Sequence, residues 1–418
     1  MRVLDEKTAV YWIWFSQLRE INLQQKWDLL HHFGDIDGIF NAQAMELRAI
    51  KWMTKPSIDE LQDRDISEAY ELYKVCKAEN IGLLPCMEAD YPASLKEIPD
   101  PPVLLYYKGI LPDFSARPGV GIVGTRKATA YGLSMAQLFG RQIAACGALV
   151  ISGGAAGVDT MAMRGALEAG KPVVAVVANG LDTVYPKSNT SLFTKVAETG
   201  CIFSEYPPGT PALNWYFPQR NRIISGIARG VLVVEAPDKS GALITARQAK
   251  KYHRDVFVVP ANLDLETAKG SNALLQEDAI AAYSGWDVVK KYQPDYPKAL
   301  EKNDGSVILC PLDFVTELEN KPSSRLKSRS IKMSYTEPAD KKSIDNEAVN
   351  RYSGIETASE DLSPEEQEIL NCLGKEPVFI DQIVARLNMP SGKVIAALTT
   401  LVMKDKVTQH SGKRVSLK

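Results

Sequence analysis

Between about Gly119 and Lys291 the chain switches repeatedly between two hydrophobic periods, and no other feature of its 418 residues restricts the fold as tightly. Short β-branched runs at Val120–Val123, Ala148–Ser152, Pro172–Ala178, Cys201–Ser204, Val231–Glu235 and Asp255–Val259 form one set. Segments of helical period lie between them, at Gly132–Cys146, Thr160–Ala169, Ser191–Glu198, Asn221–Ala228 and Gly241–Tyr252. The runs are near-continuously apolar rather than alternating, which marks strands covered on both faces. Strand and helix in alternation then predict a Rossmann-like α/β core, a doubly wound and mostly parallel sheet whose ligands bind at the C-terminal strand ends.

The flanks differ in kind. Residues 1–78 read as a small helical module, with apolar positions near helical spacing through Tyr11–Leu18, Trp27–Phe33, Ile36–Leu47 and Ile58–Val75. From Ile81 to Gly109, prolines at 85, 92, 99, 101 and 102 and the apolar patch Val103–Tyr107 suit an extended connector into the sheet. The α/β region is expected over 79–294, followed by a polar tether over 295–361. The tether carries a basic half (Lys321, Arg325, Lys327, Arg329, Lys332) before an acidic half (Glu337, Asp340, Asp345, Glu347, Glu356, Glu360, Asp361), with the more apolar Val307–Leu318 ahead of both. Ser363-Pro364-Glu365-Glu366 has the form of a cap, a first-turn proline and acids that favour the helix dipole. Helices near 364–373, 379–387 and 391–404 and a strand pair around Ser411-Gly412 predict a winged-helix module over 362–418.

Charge sets the scale of any polyanion site. Lys+Arg 49 against Asp+Glu 51 leave no chain-wide basic footprint, so such a site has to be local. No apolar run reaches the roughly 18–20 residues of a membrane span. Asp5 and Glu6 ahead of the short aromatic run Tyr11 to Phe15 do not have the pattern of a secretory leader. Six cysteines without a CxxC pair and four histidines suggest neither a disulfide framework nor a zinc site, and the adjacent His31 and His32 read as helix surface or core edge. A reduced, cytoplasmic protein with no membrane contact and no cofactor is expected.

Gly119-Val-Gly121-Ile-Val-Gly124 formally fits G-x-G-x-x-G, but its glycines fall before and within the strand, and no acidic ribose reader follows. The informative residues come after the strand. Gly124-Thr125-Arg126-Lys127 is a turn opening a helix, where backbone N–H groups attract phosphate and Arg126 can add a bidentate clamp; a plain turn with a solvated cation pair is the alternative. Ser152-Gly153-Gly154 through Asp159 is a second glycine-rich loop at the same sheet edge, with Asp159 either part of the loop or simply the cap of the next helix. In Trp215-Tyr216-Phe217-Pro218-Gln219-Arg220-Asn221-Arg222, three aromatics run into two arginines and an amide. Such a run serves either as stacking faces beside guanidinium groups for single-stranded nucleic acid or as a core cluster with an arginine anchor. Ser240-Gly241 through Thr245 is a further Ser-Gly helix start, with Lys250 and Lys251 a turn later. No catalytic set is legible: there is no H-E-x-x-H, and Ser391-Gly392-Lys393-Val394 lacks the rest of a P-loop.

These segments together resemble the DprA (Smf) DNA-processing family. The resemblance covers roughly residues 80–290 and rests on Gly124-Thr125-Arg126, Ser152-Gly153-Gly154 through Asp159, Gly180-Leu181-Asp182 with Tyr185-Pro186 and Asn189, Ser204 through Gly209, Phe217 through Arg222, and Val233 through Ala236 with Ser240 through Ala246. More weakly, the N-terminal helices are similar to that family's SAM-like or helix-hairpin-helix module, and residues 362–418 to its winged helix. The resemblance implies a non-enzymatic homodimer that binds single-stranded DNA, protects incoming strands during natural transformation and loads the RecA recombinase. It also implies a DNA pocket lined by Arg126, Phe217, Arg220 and the glycine loops. The expected DNA-contacting set is Gly124, Thr125, Arg126, Lys127, Ser152, Gly153, Gly154, Phe217, Arg220, Asn221, Arg222, Ser240, Gly241 and Thr245.

Met163, Ala178-Asn179 and Ala261-Asn262 depart from the family pattern at the pocket floor. Arg19-Glu20-Ile21-Asn22 lacks the glycine hairpin that would offer amides to duplex phosphates. The expected recognition helix, Ser391 to Lys404, has Lys393 and Lys404 as its cations, which suits a protein contact or regulation better than base reading. The competing class is a Rossmann-like nucleotide phosphoribohydrolase, whose catalytic glutamate would have to come from the neighbourhood of Asp159 and Glu168.

Overall fold

A computed structural model of the chain describes residues 4–303, then 364–374, 378–379 and part of the positions from 383 to 417. The chain divides into two compact units on either side of residues 323 and 324.

The first unit begins with helices α1 (Glu6–Gln17), α2 (Leu23–Phe33), α3 (Ile36–Asn41), α4 (Ala44–Arg48), α5 (Lys55–Asp63) and α6 (Ser67–Ala78). Their starts are written in side chains: Asp5 accepts from the Thr8 amide, Asn22 forms a capping box with Gln25, and Thr54 accepts from Ser57 with Pro56 in the first turn. Helix α1 is buried from Ala9 through Phe15, so it is the central helix of the module. Tyr11 stacks on Phe40 at 3.8 Å between ring centroids, and the Trp27 indole donates to the Pro101 carbonyl at 2.9 Å, tying the module to the chain entering the sheet.

The sheet has nine strands among the described residues: β1 (Gly82–Pro85), β2 (Leu104–Gly109), β3 (Gly119–Val123), β4 (Leu149–Ser152), β5 (Val173–Val177), β6 (Cys201–Ser204), β7 (Gly230–Val233), β8 (Asp255–Val258) and β9 (Ile280–Ala281). Their order is β1-β2-β6-β5-β4-β3-β7-β8-β9, parallel from β6 to β9. Strands β1 and β2 are added antiparallel at one edge. The expected connector over Ile81–Gly109 is therefore part of the sheet: Leu104 to Tyr107 are buried on both faces, which a mere connector would not allow.

Helices α8 (Ala130–Ala145), α9 (Val158–Glu168), α10 (Thr190–Thr199) and α14 (Gly285–Val289) pack among themselves on one side of the sheet. Helices α7 (Ala93–Lys96), α11 (Tyr216–Ile227) and α12 (Gly241–Lys251) do so on the other, and α13 (Lys269–Gln276) leads to β9. Helices α8 and α9 approach closely because Gly140 and Gly165 face each other's backbone; a Cβ on either would overlap a carbonyl of the partner helix. Helix α11 starts at Tyr216, five residues before the expected Asn221. Pro218 is the reason: as third residue of the helix its missing N–H removes no intrahelical bond, so it opens α11 instead of barring it.

In the second unit, α15 (Pro364–Cys372) and a three-stranded antiparallel sheet, β10 (Val378–Phe379), β11 (Val407–His410) and β12 (Arg414–Leu417), enclose Ile369, Ile383, Val394, Leu401, Val407 and Val415. This is the winged-helix module. Phe379, expected to start a helix, lies in β10, where it pairs with Arg414. The Ser363 cap, nearly all of the tether, Lys393, Lys404 and the Ser411-Gly412 turn fall outside the described residues.

Candidate nucleic-acid interface

Chain order and strand order part company between β3 and β7, so the loops after these strands diverge and leave a crevice at the C-terminal sheet edge. Thr125 donates its amide to the Glu235 carbonyl at 2.7 Å and accepts at its own carbonyl from Val158 at 3.3 Å, so the turn after β3 is pinned to β7 and α9 at once. Gly124 is required by space: a Cβ there would lie 2.5 Å from a Val158 methyl and 2.9 Å from the Glu235 carbonyl oxygen. Thr129 caps α8, and the fully buried Glu235 carboxylate accepts from both the Thr129 amide at 3.2 Å and its hydroxyl at 2.7 Å. An internal carboxylate thus takes the amide of the residue that caps α8. What the turn does present to solvent is Arg126 and Lys127, both exposed.

The second loop is built similarly. The buried Ser152 hydroxyl donates to the Ile122 carbonyl at 2.7 Å, so Ser152 belongs to the frame and not to the contact surface. The amides of Gly153 and Ala155 donate to one oxygen of Asp159, at 3.1 and 3.4 Å, so this carboxylate holds the loop from inside. Asn189 donates to the Gly154 carbonyl at 3.0 Å and to the Thr160 hydroxyl at 2.7 Å. Gly157 adopts φ +84°, and a Cβ there would lie 2.5 Å from the Thr125 carbonyl oxygen, so the two loops are fitted to each other.

Helix α11 supplies the third part. The Arg126 guanidinium lies 4.6 Å from the Phe217 ring centroid and that of Arg220 lies 5.9 Å from it, so one ring orients two cations. Tyr185 meets Phe217 edge-on at 5.7 Å and is 43% exposed. Arg220 is buried, donates to the Val176 carbonyl at the end of β5 and has no partner for its Nε; its guanidinium fills the space a Cβ on Gly153 would need. Burial pushes the Asp159 carboxyl up to about 6, against the pull of Arg220 and the loop amides, and lowers Arg220 to about 10. The result is an exposed cation on an aromatic ring, backed by a buried cation whose charge Asp159 offsets.

Of the remaining expected residues, Arg222 is not in this site. Two positions beyond Arg220 on the helix, it is buried and paired with Glu205 at 2.6 Å and Asp100 at 3.2 Å. Thr245 is also outside it: it is buried in α12 and its carbonyl accepts from Ser225. Asn221 donates to the Gly241 carbonyl at 3.3 Å, which positions the Ser240 loop. Ser240 caps α12 through the Ala242 amide, and Gly241 beside it is exposed with open space around it. Met163 is core, and Asn179 is buried with its amide on the Gly180 and Thr183 carbonyls. In the helical module, the Arg19 and Glu20 amides donate to the two oxygens of Glu60 at 2.7 and 3.0 Å.

Glu235 and Tyr185 entered the sequence reading only within the family motifs and not in the expected DNA-contacting set, and of the two roles open to Asp159 the structure shows the one within the loop. A carboxylate closing an otherwise apolar strand was the available signal for Glu235. Glu168 sits in the last turn of α9, where it accepts from Gln137 at 2.6 Å. Among the described residues no His, Cys, Asp and Glu group could hold a metal, and no helix is long and apolar enough to cross a membrane.

Comparison with known proteins agrees with this architecture. The family model described as DNA recombination-mediator protein A matches residues 82–293, and that described as the DprA winged helix domain matches residues 356–413. The chain is 32% identical to Protein Smf of Synechocystis sp. over 408 residues, 97% of each chain. It is 39% identical to DNA processing protein DprA of Bacillus subtilis over 215 residues, 51% of this chain and 72% of that one. The crystal structure of DprA from Streptococcus pneumoniae aligns with a TM-score of 0.60 at 31% identity, covering 70% of this chain and 99% of that chain.

Proposed function

The chain belongs to the DprA/Smf family of DNA-processing recombination mediators, and from that premise we propose that it binds single-stranded DNA along the C-terminal edge of its sheet. In this reading it protects incoming strands during natural transformation and loads RecA onto them in the cytoplasm, acting as a homodimer and without catalysing a reaction. The observation that carries the proposal is the exposed Arg126 seated on Phe217, with the buried Arg220 guanidinium near the same ring. Arg126 and Lys127 hold phosphates while unpaired bases meet Tyr185 and Phe217. A duplex keeps its bases stacked internally and has none to offer these rings. A few phosphate contacts at a log–log salt slope of about −0.7 each give weak, sequence-tolerant binding per protomer, and two sites joined in a dimer raise avidity.

The test is fluorescence anisotropy of a labelled oligothymidylate against a labelled duplex over a salt series. Single-strand preference with a salt-dependent affinity is expected, and absence of binding at low salt overturns the proposal. A strand-exchange assay with RecA tests the loading step, and incubation with a nucleoside monophosphate, with no base released, tests the non-enzymatic reading.

A further inference from the structure

We propose that Trp215 is a second base-stacking platform, which extends the single-stranded DNA path from the Arg126–Phe217 centre toward the end of β6. The inference rests on the reading that this edge takes single-stranded DNA. Trp215 is 61% exposed, whereas Trp12 and Trp14 are core and Trp27, Trp52 and Trp286 are half-buried. Singly exposed apolar side chains are ordinary, so exposure alone decides nothing. Two further features give it weight.

The ring is held in place. Trp215 rests edge-on against Tyr216 at 5.9 Å, and Tyr216 lies against Tyr206 at 4.3 Å between centroids. The Tyr206 hydroxyl donates within the same cluster, toward the Tyr216 carbonyl at 3.4 Å and Gln219 Oε1 at 3.2 Å. A supported ring loses little freedom when a base stacks on it, so less of the contact is spent on ordering the side chain.

Its link to the strand ends runs through its neighbours. Trp215 is the residue from which α11 starts and, two positions before Phe217, lies on another side of the helix; the Tyr216–Tyr206 pair is what joins it to the end of β6. Tyr206 follows β6, the neighbour of β5, whose Val176 carbonyl receives Arg220. Two aromatic groups therefore follow neighbouring strands, Tyr185 with Phe217 after β5 and Tyr206 with Tyr216 and Trp215 after β6. A base stacked on an indole releases no counterion, so this contact adds affinity without adding to the salt slope. That separates its signature from that of Arg126.

The experiment titrates the full chain with oligothymidylates of increasing length, reading tryptophan emission and, independently, the anisotropy of a labelled oligomer. Expected are quenching of wild-type emission that is absent in Trp215→Phe, and an affinity loss of about five- to tenfold in Trp215→Ala. The loss is confined to oligomers long enough to reach the ring, with the salt slope unchanged; Trp215→Phe retains most of the affinity. Wild-type binding by anisotropy with unaltered tryptophan emission, or wild-type affinity of Trp215→Ala at every length, overturns the inference while leaving the single-strand reading intact. No binding by anisotropy overturns both.

Discussion

Replacing Arg126 with alanine removes an exposed guanidinium from a turn whose backbone is pinned independently, through Thr125 to Glu235 and Val158. The turn should keep its shape, so the binding change reports the side chain. Loss of one phosphate contact lowers the magnitude of the single-strand log–log salt slope by about 0.7. Between about 50 and 200 mM salt, a fourfold change, the ratio of wild-type to variant affinity should therefore shrink by about 4 to the power 0.7, roughly 2.6-fold. The 4.6 Å approach to Phe217 pre-orients the cation, and an exposed cation–π contact of about 0.5–1 kcal/mol corresponds to roughly two- to fivefold in affinity. Arg126→Lys should accordingly restore the slope but only part of the affinity, because a flexible ammonium stacks less well than a planar guanidinium. Anisotropy with oligothymidylate and oligodeoxyadenylate across the salt series reads both quantities. An unchanged slope in Arg126→Ala, or a loss confined to one of the two oligomers, refutes the assignment of Arg126 to phosphate.

Other consequences concern stability. The Asp159 carboxyl is raised from its ordinary 3.8 to about 6 by burial, so the folded chain holds this proton more tightly than the unfolded chain. Its contribution to stability is full below about pH 4 and is lost as pH rises through about 6; urea midpoints should show that decline in wild type and a flatter curve in Asp159→Asn, and parallel curves would contradict it. Arg222→Ala leaves Glu205, whose side chain is 19% exposed, without its partner. It should cost about 3 kcal/mol in urea unfolding while leaving the salt slope of DNA binding unaltered; a reduced slope would return Arg222 to the interface. Gly157→Ala places a Cβ 2.5 Å from the Thr125 carbonyl at φ +84°. It should lower stability by about 1–3 kcal/mol and weaken single-strand binding, whereas wild-type melting and affinity would mean that the two loops are not coupled there.

Continuous apolar runs made the central strands legible, because a strand covered on both faces leaves little room for another reading. Strands β1 and β2 were hidden by prolines 85, 92, 99, 101 and 102, which dominate the local signal although Pro85 closes β1 opposite Leu104 and the other four lie between the strands. At the site, residue type was visible but direction was not. Arg220 and Arg222 carry the same guanidinium two positions apart, and the rotation of α11 alone decides that one backs the Phe217 ring while the other pairs with Glu205 and Asp100. Ser152 and Thr245 looked available for phosphate because hydroxyls beside glycines often are, yet both are buried. Glu235 satisfies the Thr129 amide through a contact 106 residues away that no local spacing announces, whereas Asp159 serves amides four and six residues before it, where spacing left open whether it held the loop or capped the helix.

The Glu60 carboxylate at the turn between α1 and α2 can also be seen as a competitor. A phosphate approaching the Arg19 and Glu20 amides meets an anion already in place and carried by the same fold. Flexible tethering alone gives local concentrations in the millimolar range, and a folded scaffold holds its group in register besides. A phosphate would have to displace that resident carboxylate, at a turn that already lacks the glycine hairpin suited to duplex phosphates. Within the helical module the first inter-helix turn is thus tied to α5 by a carboxylate that serves both of its exposed amides at once.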